Sequence, residues 1–283
     1  MKTLDAKART AERTEIEAGA CTDTGKVREN NEDSYRTAPE LGLFVLSDGM
    51  GGIACGEIAS RLVVDTIVAH CREAASKPSL ALAGDRVAGA SEISNRLASA
   101  IRLANRAVRA EAQKISIHAE MGATVVAAWI DDGRVSVAHV GDSRAYRLRR
   151  GAIEQLTLDH SFVAEQVRHG VITQKEASQS RLQNVLLRAL GPEADIDVDV
   201  LEELVLEGDT FLLCSDGLTR ELSDAQIAAV LKESGEAQQV ARKLIEMANQ
   251  AGGSDNITAI VIRCAPKQGG TFARLGKWFR DSQ

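Results

Sequence analysis

Carboxylates recur where apolar runs end. Asp48 closes LGLFVLSD (41–48) and Asp216 closes FLLCSD (211–216), and a glycine follows each. Asp255 stands in Gly252-Gly253-Ser254-Asp255-Asn256, beside the run NITAIVIR (256–263). Asp142 follows RVSVAHV (134–140) in Gly141-Asp142-Ser143-Arg144, and Glu32 and Asp33 end Arg28-Glu29-Asn30-Asn31-Glu32-Asp33. If the apolar runs are strands of a sandwich, their ends gather at its two rims. Several aspartates on one rim repel strongly unless cations lie among them. The donors are oxygens, with no His or Cys at ligand spacing beside them, which selects hard ions such as Mg²⁺ or Mn²⁺ over zinc. Glycine after the aspartate lets a backbone carbonyl turn toward an ion without a Cβ clash. The plain alternative is that each Asp-Gly is a turn, and Asp131-Asp132-Gly133 reads as one. Two strand–Asp–Gly units combined with Glu32-Asp33 and Asp255-Asn256 are what point to a metal centre.

The elements that must position these groups follow from periodicity. IEAGA (16–20) reads as an edge strand, and 41–48 as a buried strand followed by a tight turn. Ile58, Leu62, Val63, Ile67 and Val68 share one face of a helix from about Glu57 to Ala74. Ile93, Leu97, Ile101, Ala104 and Val108 stripe a second helix over about 91–114, and the Ala-, Gly- and Ser-rich stretch 75–90 between them is a loop. TVVAAWI (124–130) and RVSVAHV (134–140) flank a Gly-containing turn, a hairpin signal. AYRLRR (145–150) is a third strand, closed by Gly151. Residues 160–190 are more polar, with helical character. Helices cover about 224–233 and 236–251, and 256–263 is the last strand. Strands first and last, with helix pairs between, give an α+β architecture: two packed β-sheets with a helix pair outside each. The basic residues of 99–118 form the solvated face of an amphipathic helix. His118 and His139 have no visible ligand partners.

The chain has 283 residues, enough for a full core. Its net charge of −6 argues against nucleic-acid binding, and no apolar window is long enough for membrane insertion. Five scattered cysteines without a CxxC pair fit a reducing cytoplasm. Residues 1–15 read as a charged, flexible leader without a signal-peptide stretch, 16–265 as one domain, and 266–283 as a Gly-Gly-hinged tail. In the tail, Phe272 to Arg280 mixes basic and aromatic residues. Those residues suit a partner or a membrane surface, but an unstructured terminus is the plainer reading.

Eight segments resemble, in order, the bacterial branch of the metal-dependent protein phosphatases, the protein phosphatase 2C (PPM) family. They are DTGKVRENNEDS (23–34), VLSDGMGGIACGEIAS (45–60), GAT (122–124), VGDSRAYRL (140–148), LTLDHS (156–161), LLRALG (186–191), LLCSDGL (212–218) and SDNITAIVI (254–262). The resemblance implies an αββα sandwich that hydrolyses phosphoserine and phosphothreonine in proteins with two core Mg²⁺ or Mn²⁺ ions and a third, weaker one. It implies that Asp48 bridges the core ions, that the carbonyl of Gly49 joins the second, and that Asp216 and Asp255 complete the first. Glu32 and Asp33 would reach the second ion directly or through its waters, and Asp142 with Asp216 would flank the third. Arg28 matches the phosphate-binding arginine, whose planar fork pairs two phosphoryl oxygens. Residues 161–190 match a variable flap beside the site. The implied partners are phosphoproteins made by a bacterial Ser/Thr kinase.

A water between two such ions loses proton affinity, and the resulting hydroxide would attack phosphorus in line with the leaving seryl or threonyl oxygen. Some relatives carry a histidine after the Asp-Gly pair to protonate that oxygen. Here the position is Met50, which has no proton to give. His160 is expected to be structural. Two rivals stand beside this reading. Cys214 and Arg220 satisfy the Cys-x5-Arg of a cysteine phosphatase, but Asp216 inside that loop would repel thiolate and phosphate alike. A non-catalytic phosphatase-like module would be expected to have lost carboxylates that this chain keeps.

Overall fold

The apolar runs fold as strands with both faces buried. The computed structural model describes residues 15–51, 55–115 and 121–265. The tail and all but Glu15 of the leader therefore lie outside the described residues, as does His118. In chain order the elements are β1 (Glu15–Asp23), β2 (Asp33–Ala38), β3 (Leu43–Met50), α1 (Cys55–Ser76), α2 (Glu92–Ile115), β4 (Gly122–Ala123), β5 (Val125–Asp131), β6 (Arg134–Val140), β7 (Arg144–Arg149), β8 (Ala152–Gln155), α3 (Phe162–Arg168), α4 (Gln174–Ala177), β9 (Asp199–Leu204), β10 (Thr210–Cys214), α5 (Asp216–Glu221), α6 (Asp224–Leu231), α7 (Ala237–Ala251) and β11 (Ile257–Ala265). One antiparallel sheet has the order β1-β11-β10-β7-β8, and the other β2-β3-β5-β6-β9, with β4 paired to β3.

Because side chains alternate along a strand, each central strand feeds two cores. On β3, Phe44 and Leu46 meet Phe211, Leu213, Ile260 and Ile262 between the sheets. Leu43 and Val45 point the other way, into a cluster with Val63, Val64 and Ile67 of α1 and Leu97 and Ile101 of α2. Leu212 and Cys214 of β10 pack outward against Ile227, Leu231, Val240 and Leu244. The layers are therefore helix, sheet, sheet, helix, as expected. Each fully buried leucine or isoleucine contributes about 2 kcal/mol of transfer free energy.

The hairpin between β5 and β6 turns at Asp132 and Gly133, with φ of 46° and 72°; Arg150 and Gly151 repeat the pattern at 50° and 81°. Two successive positive φ values match the right-handed strand twist. This second turn leads into β8, an element the sequence reading did not anticipate; nor did it anticipate β2, β4 or β9. Within 160–190 the helical character is confined to the short α3 and α4. Among the described residues no helix is long and apolar enough to cross a membrane.

One expectation is overturned at the place that matters most. Asp48-Gly49 is not a tight turn: β3 runs on through Met50, and Gly49 and Met50 pair with Ala123 and Gly122 of β4. The glycine serves close approach instead. A Cβ on Gly49 would lie 2.0 Å from the carbonyl oxygen of Gly56 and 2.7 Å from that of Glu32.

Candidate active site at the acidic rim

Both sheets end their site-bearing strands at one rim. Asp33 starts β2 directly opposite Asp48 of β3. Asp142 occupies the corner between β6 and β7, Asp216 is the first residue of α5 after β10, and Asp255 stands two residues before β11. Arg28, Glu32, Asp48, Gly49, Asp142, Asp216 and Asp255 line one depression of about 190 Å³, with Met50, Thr124 and Arg220. Asn184 and Leu186 from the expected flap complete its wall. Of the expected site residues only Asp33 is not in the lining.

Local chemistry fixes these positions. Asn256 ties the 24–32 loop to the start of β11: its Oδ1 accepts from the Glu32 amide (2.8 Å), and its Nδ2 donates to the carbonyls of Thr24 and Asn30 (2.9 Å each). The Lys26 amide adds a bond to the Gly253 carbonyl at 2.7 Å. Thr124 links both sides of the rim. Its amide donates to the Asp48 carbonyl (2.8 Å), and its hydroxyl accepts from the Asp48 amide (3.1 Å) and pairs with the Ser143 hydroxyl (2.7 Å). A Cβ on Gly217 would come within 2.1 Å of the Asn256 carbonyl, so α5 packs against the Asp255 loop only without one.

The carboxylates crowd one another. Burial raises the proton affinity of Asp33 to about 7; the hydroxyls of Thr258 (2.6 Å) and Ser215 (2.8 Å), which donate to its Oδ2, oppose the shift, and Asp216 and Asp255 add to it. Burial, then the charges of Asp33, Asp216, Asp142 and Asp255, raise Asp48 well above the usual range. Asp142 is pushed up to about 8 by burial and by Asp216 and Asp159. Burial also raises Asp216 against the pull of Arg220, and Glu32 against that of Arg28. Buried polar atoms ordinarily find partners, yet Oδ1 of Asp33 and Oδ1 of Asp216 have none among the described residues. Orphaned carboxylate oxygens on a crowded anionic rim are the donor set a hard divalent cation requires, so the residues present fit the ions that the resemblance implied.

Two arginines offset part of this charge. Arg28 forks onto Asp255, with Nε 2.9 Å from Oδ1 and Nη2 3.0 Å from Oδ2. Arg220 reaches Asp255 Oδ2 through Nη1 at 3.0 Å and pairs with Asp216 Oδ2 through Nη2. In the sequence Arg220 figured only in the rival Cys-x5-Arg motif. The signal that would have found it is its i,i+4 spacing from Asp216, which puts both on one face of α5. Thr124 and Asn256 were visible only as members of quoted segments.

His160 lies outside the lining. Its Nδ1 accepts from the Gly141 amide (3.2 Å), its Nε2 faces Asp199 at 3.3 Å, and its ring stacks on His139 with centroids 4.6 Å apart. Burial, His139 and Arg188 push it down to about 4, which keeps the ring neutral. Held at Nδ1 by the Gly141 amide and stacked on His139, the ring props the Gly141–Asp142 corner, with Asp199 close to Nε2. Cys214 is fully buried, and burial pushes its thiol up to about 12. A buried thiol of that kind is not a nucleophile, which removes the cysteine-phosphatase rival.

Comparisons with known proteins agree with this geometry. The profile of the family described as protein phosphatase 2C matches residues 24–260. The chain is 34% identical over 244 residues to the serine/threonine phosphatase stp of Listeria innocua, covering 85% of this chain and 93% of that one. It is 38% identical over 243 residues to the serine/threonine protein phosphatase PstP of Mycobacterium tuberculosis, covering 86% of this chain and 44% of PstP. The crystal structure of the PstP catalytic domain in complex with two manganese ions superimposes with a TM-score of 0.75 at 34% identity, covering 89% of this chain and 99% of that domain. Sequence, sandwich and acidic rim agree: the chain belongs to the protein phosphatase 2C family, in its bacterial serine/threonine phosphatase branch.

Proposed function

We propose that this chain is a metal-dependent protein serine/threonine phosphatase and that its reaction takes place in the acidic depression. Asp48, Asp216 and Asp255, the carbonyl of Gly49, and Glu32 with Asp33 would hold two core ions, Mg²⁺ or Mn²⁺. Asp142 with Asp216 would serve a third, weaker site. When bound, the ions supply positive charge that lowers the proton affinity of water and offsets charge on the phosphoryl group.

The chain's own residues do the rest. Arg28 pairs phosphoryl oxygens with its guanidinium fork. Asn184 and Leu186 bound the depression on the flap side, so a substrate backbone crosses the rim there while its phosphorylated side chain enters. Hydrolysis joins a water oxygen to phosphorus, breaks the bond to the seryl or threonyl oxygen, and returns one proton to that oxygen. Met50 has no proton to give and His160 is outside the lining, so that proton comes from water. The substrates are phosphoproteins made by a Ser/Thr kinase. The cysteines, all free, fit work in a reducing cytoplasm.

One observation carries this reading: six carboxylates converge on one rim, and two of their buried oxygens lack partners among the described residues. The test is hydrolysis of a phosphothreonine peptide before and after chelation. EDTA should abolish turnover, Mn²⁺ should restore it, and iodoacetamide should leave it nearly unchanged. Full activity in the chelated protein would reject the metal-dependent reading and favour a different phosphatase chemistry. No activity with any divalent ion would favour a non-catalytic module.

A further inference from the structure

Asp255 is crowded by donors on both oxygens. Its Oδ1 accepts from the Asn256 amide (2.9 Å) and lies 2.9 Å from Arg28 Nε as an ion pair; its Oδ2 accepts from Arg28 Nη2 (3.0 Å) and Arg220 Nη1 (3.0 Å). Of the about four lone-pair positions a carboxylate offers, three accept hydrogen bonds and Arg28 Nε stands against the fourth. An ion that takes Asp255 must therefore displace a donor. The Asn256 amide belongs to the backbone just before β11, and its side chain is knitted to the 24–32 loop. Arg220 is anchored a second time, on Asp216 in its own helix, and only 23% of its side chain is exposed. Arg28 is 49% exposed and has no second side-chain partner among the described residues. It is the donor that yields.

Asp216 behaves differently. Arg220 occupies its Oδ2, while Oδ1 is buried and unpartnered among the described residues. It can take an ion without releasing its arginine.

We infer that the Arg28–Asp255 fork is a latch and that ion capture by Asp255 would expel Arg28 and free its guanidinium for the phosphoryl group. The inference rests on the proposed function and adds an order to it. The phosphate-binding residue becomes available only after the ion has entered, so ion loading precedes phosphoryl binding. An ion-free protein then neither binds nor traps phosphorylated side chains through Arg28. Arg220 stays in place throughout and limits the repulsion between Asp216 and Asp255.

Arginine-selective modification of the full chain with phenylglyoxal, mapped by peptide mass spectrometry, reads this directly without measuring turnover. Saturating Mn²⁺ should speed modification of Arg28 about fivefold, the scale expected when a partly exposed ion pair opens, while Arg220 stays slow. Asp255→Asn, studied without metal, should show the faster Arg28 rate at once. An Arg28 rate unchanged by Mn²⁺, or equal in wild type and Asp255→Asn without metal, would overturn the latch. If Mn²⁺ binds and activates hydrolysis while Arg28 does not respond, the latch alone fails. If Mn²⁺ does not bind, the proposed function falls and the latch with it.

Discussion

Two kinds of buried acid sit a few residues apart in this molecule. Asp209 is almost wholly buried, yet every one of its oxygens is used: Arg149 donates to both (2.8 and 2.7 Å), and the Leu206 amide adds a bond at 2.8 Å. Asp159 is matched in the same way by Arg144 and Gln155. At the rim, Asp33 and Asp142 are buried and Asp48 and Asp216 half-buried, but they face one another, and Oδ1 of Asp33 and of Asp216 has no partner among the described residues. A compensated buried charge holds the fold together. An uncompensated group of them is tolerable only if something outside the chain completes it.

The sharpest break of that contrast comes from removing one acid of each kind. Asp48→Ala or Asp216→Ala should lower metal-dependent turnover by a factor of about a thousand or more, while the metal-free fold of Asp48→Ala at pH 8 melts no lower than wild type, since a mutually repelling carboxylate has gone. Full activity of either variant at saturating Mn²⁺ would contradict the assignment. Asp209→Ala should do the reverse. Losing its charge-assisted bonds should cost about 2–3 kcal/mol of stability, seen as a lower urea midpoint, with kcat of the folded fraction unchanged.

The contrast also has a pH signature. Burial on folding pushes the pKa of Asp33 up to about 7 and that of Asp142 up to about 8, well above the ordinary aspartate range. The folded, metal-free chain therefore holds protons that the unfolded chain has already released. Its stability from these groups is full below about pH 4 and is lost as pH rises through 7 and 8. Urea midpoints of chelated protein should fall between pH 5 and 8, and Mn²⁺ should remove the slope. A flat profile without metal would mean that the rim is compensated some other way.

Much of this was legible from the residues. Apolar runs such as 211–214 are buried on both faces, so they read as strands. Aspartates that end such runs in a sandwich must meet at a rim. What was hidden depended on local chemistry that composition masks. Asp48-Gly49 carries turn-forming residues, but the approach of the Gly56 and Glu32 carbonyls keeps it extended. β9 (DVLEEL) is polar because it lies at a sheet edge, and β8 has only four residues. Arg220 was obscured because a single arginine is usually solvated; its role depends on Asp255, which is distant in sequence and joins it only after folding.

Smaller effects sharpen the boundary of the site. His160→Ala should keep hydrolysis of p-nitrophenyl phosphate within about tenfold of wild type, or about 1.4 kcal/mol of barrier, because its ring props Gly141 and does not reach the depression. A loss of three orders of magnitude would make it part of the chemistry. Cys214→Ser should change kcat least of all, since the thiol is sealed in the outer core.

The most direct test of the central claim is Mn²⁺ binding to chelator-stripped protein, followed by calorimetry and by thermal melting of the same samples. Two ions should bind per chain, each raising the melting temperature, and Asp216→Ala should lose at least one of them. A stripped protein that binds no Mn²⁺, melts at the same temperature with and without it, and still cleaves phosphothreonine would show that the acidic rim needs no cations.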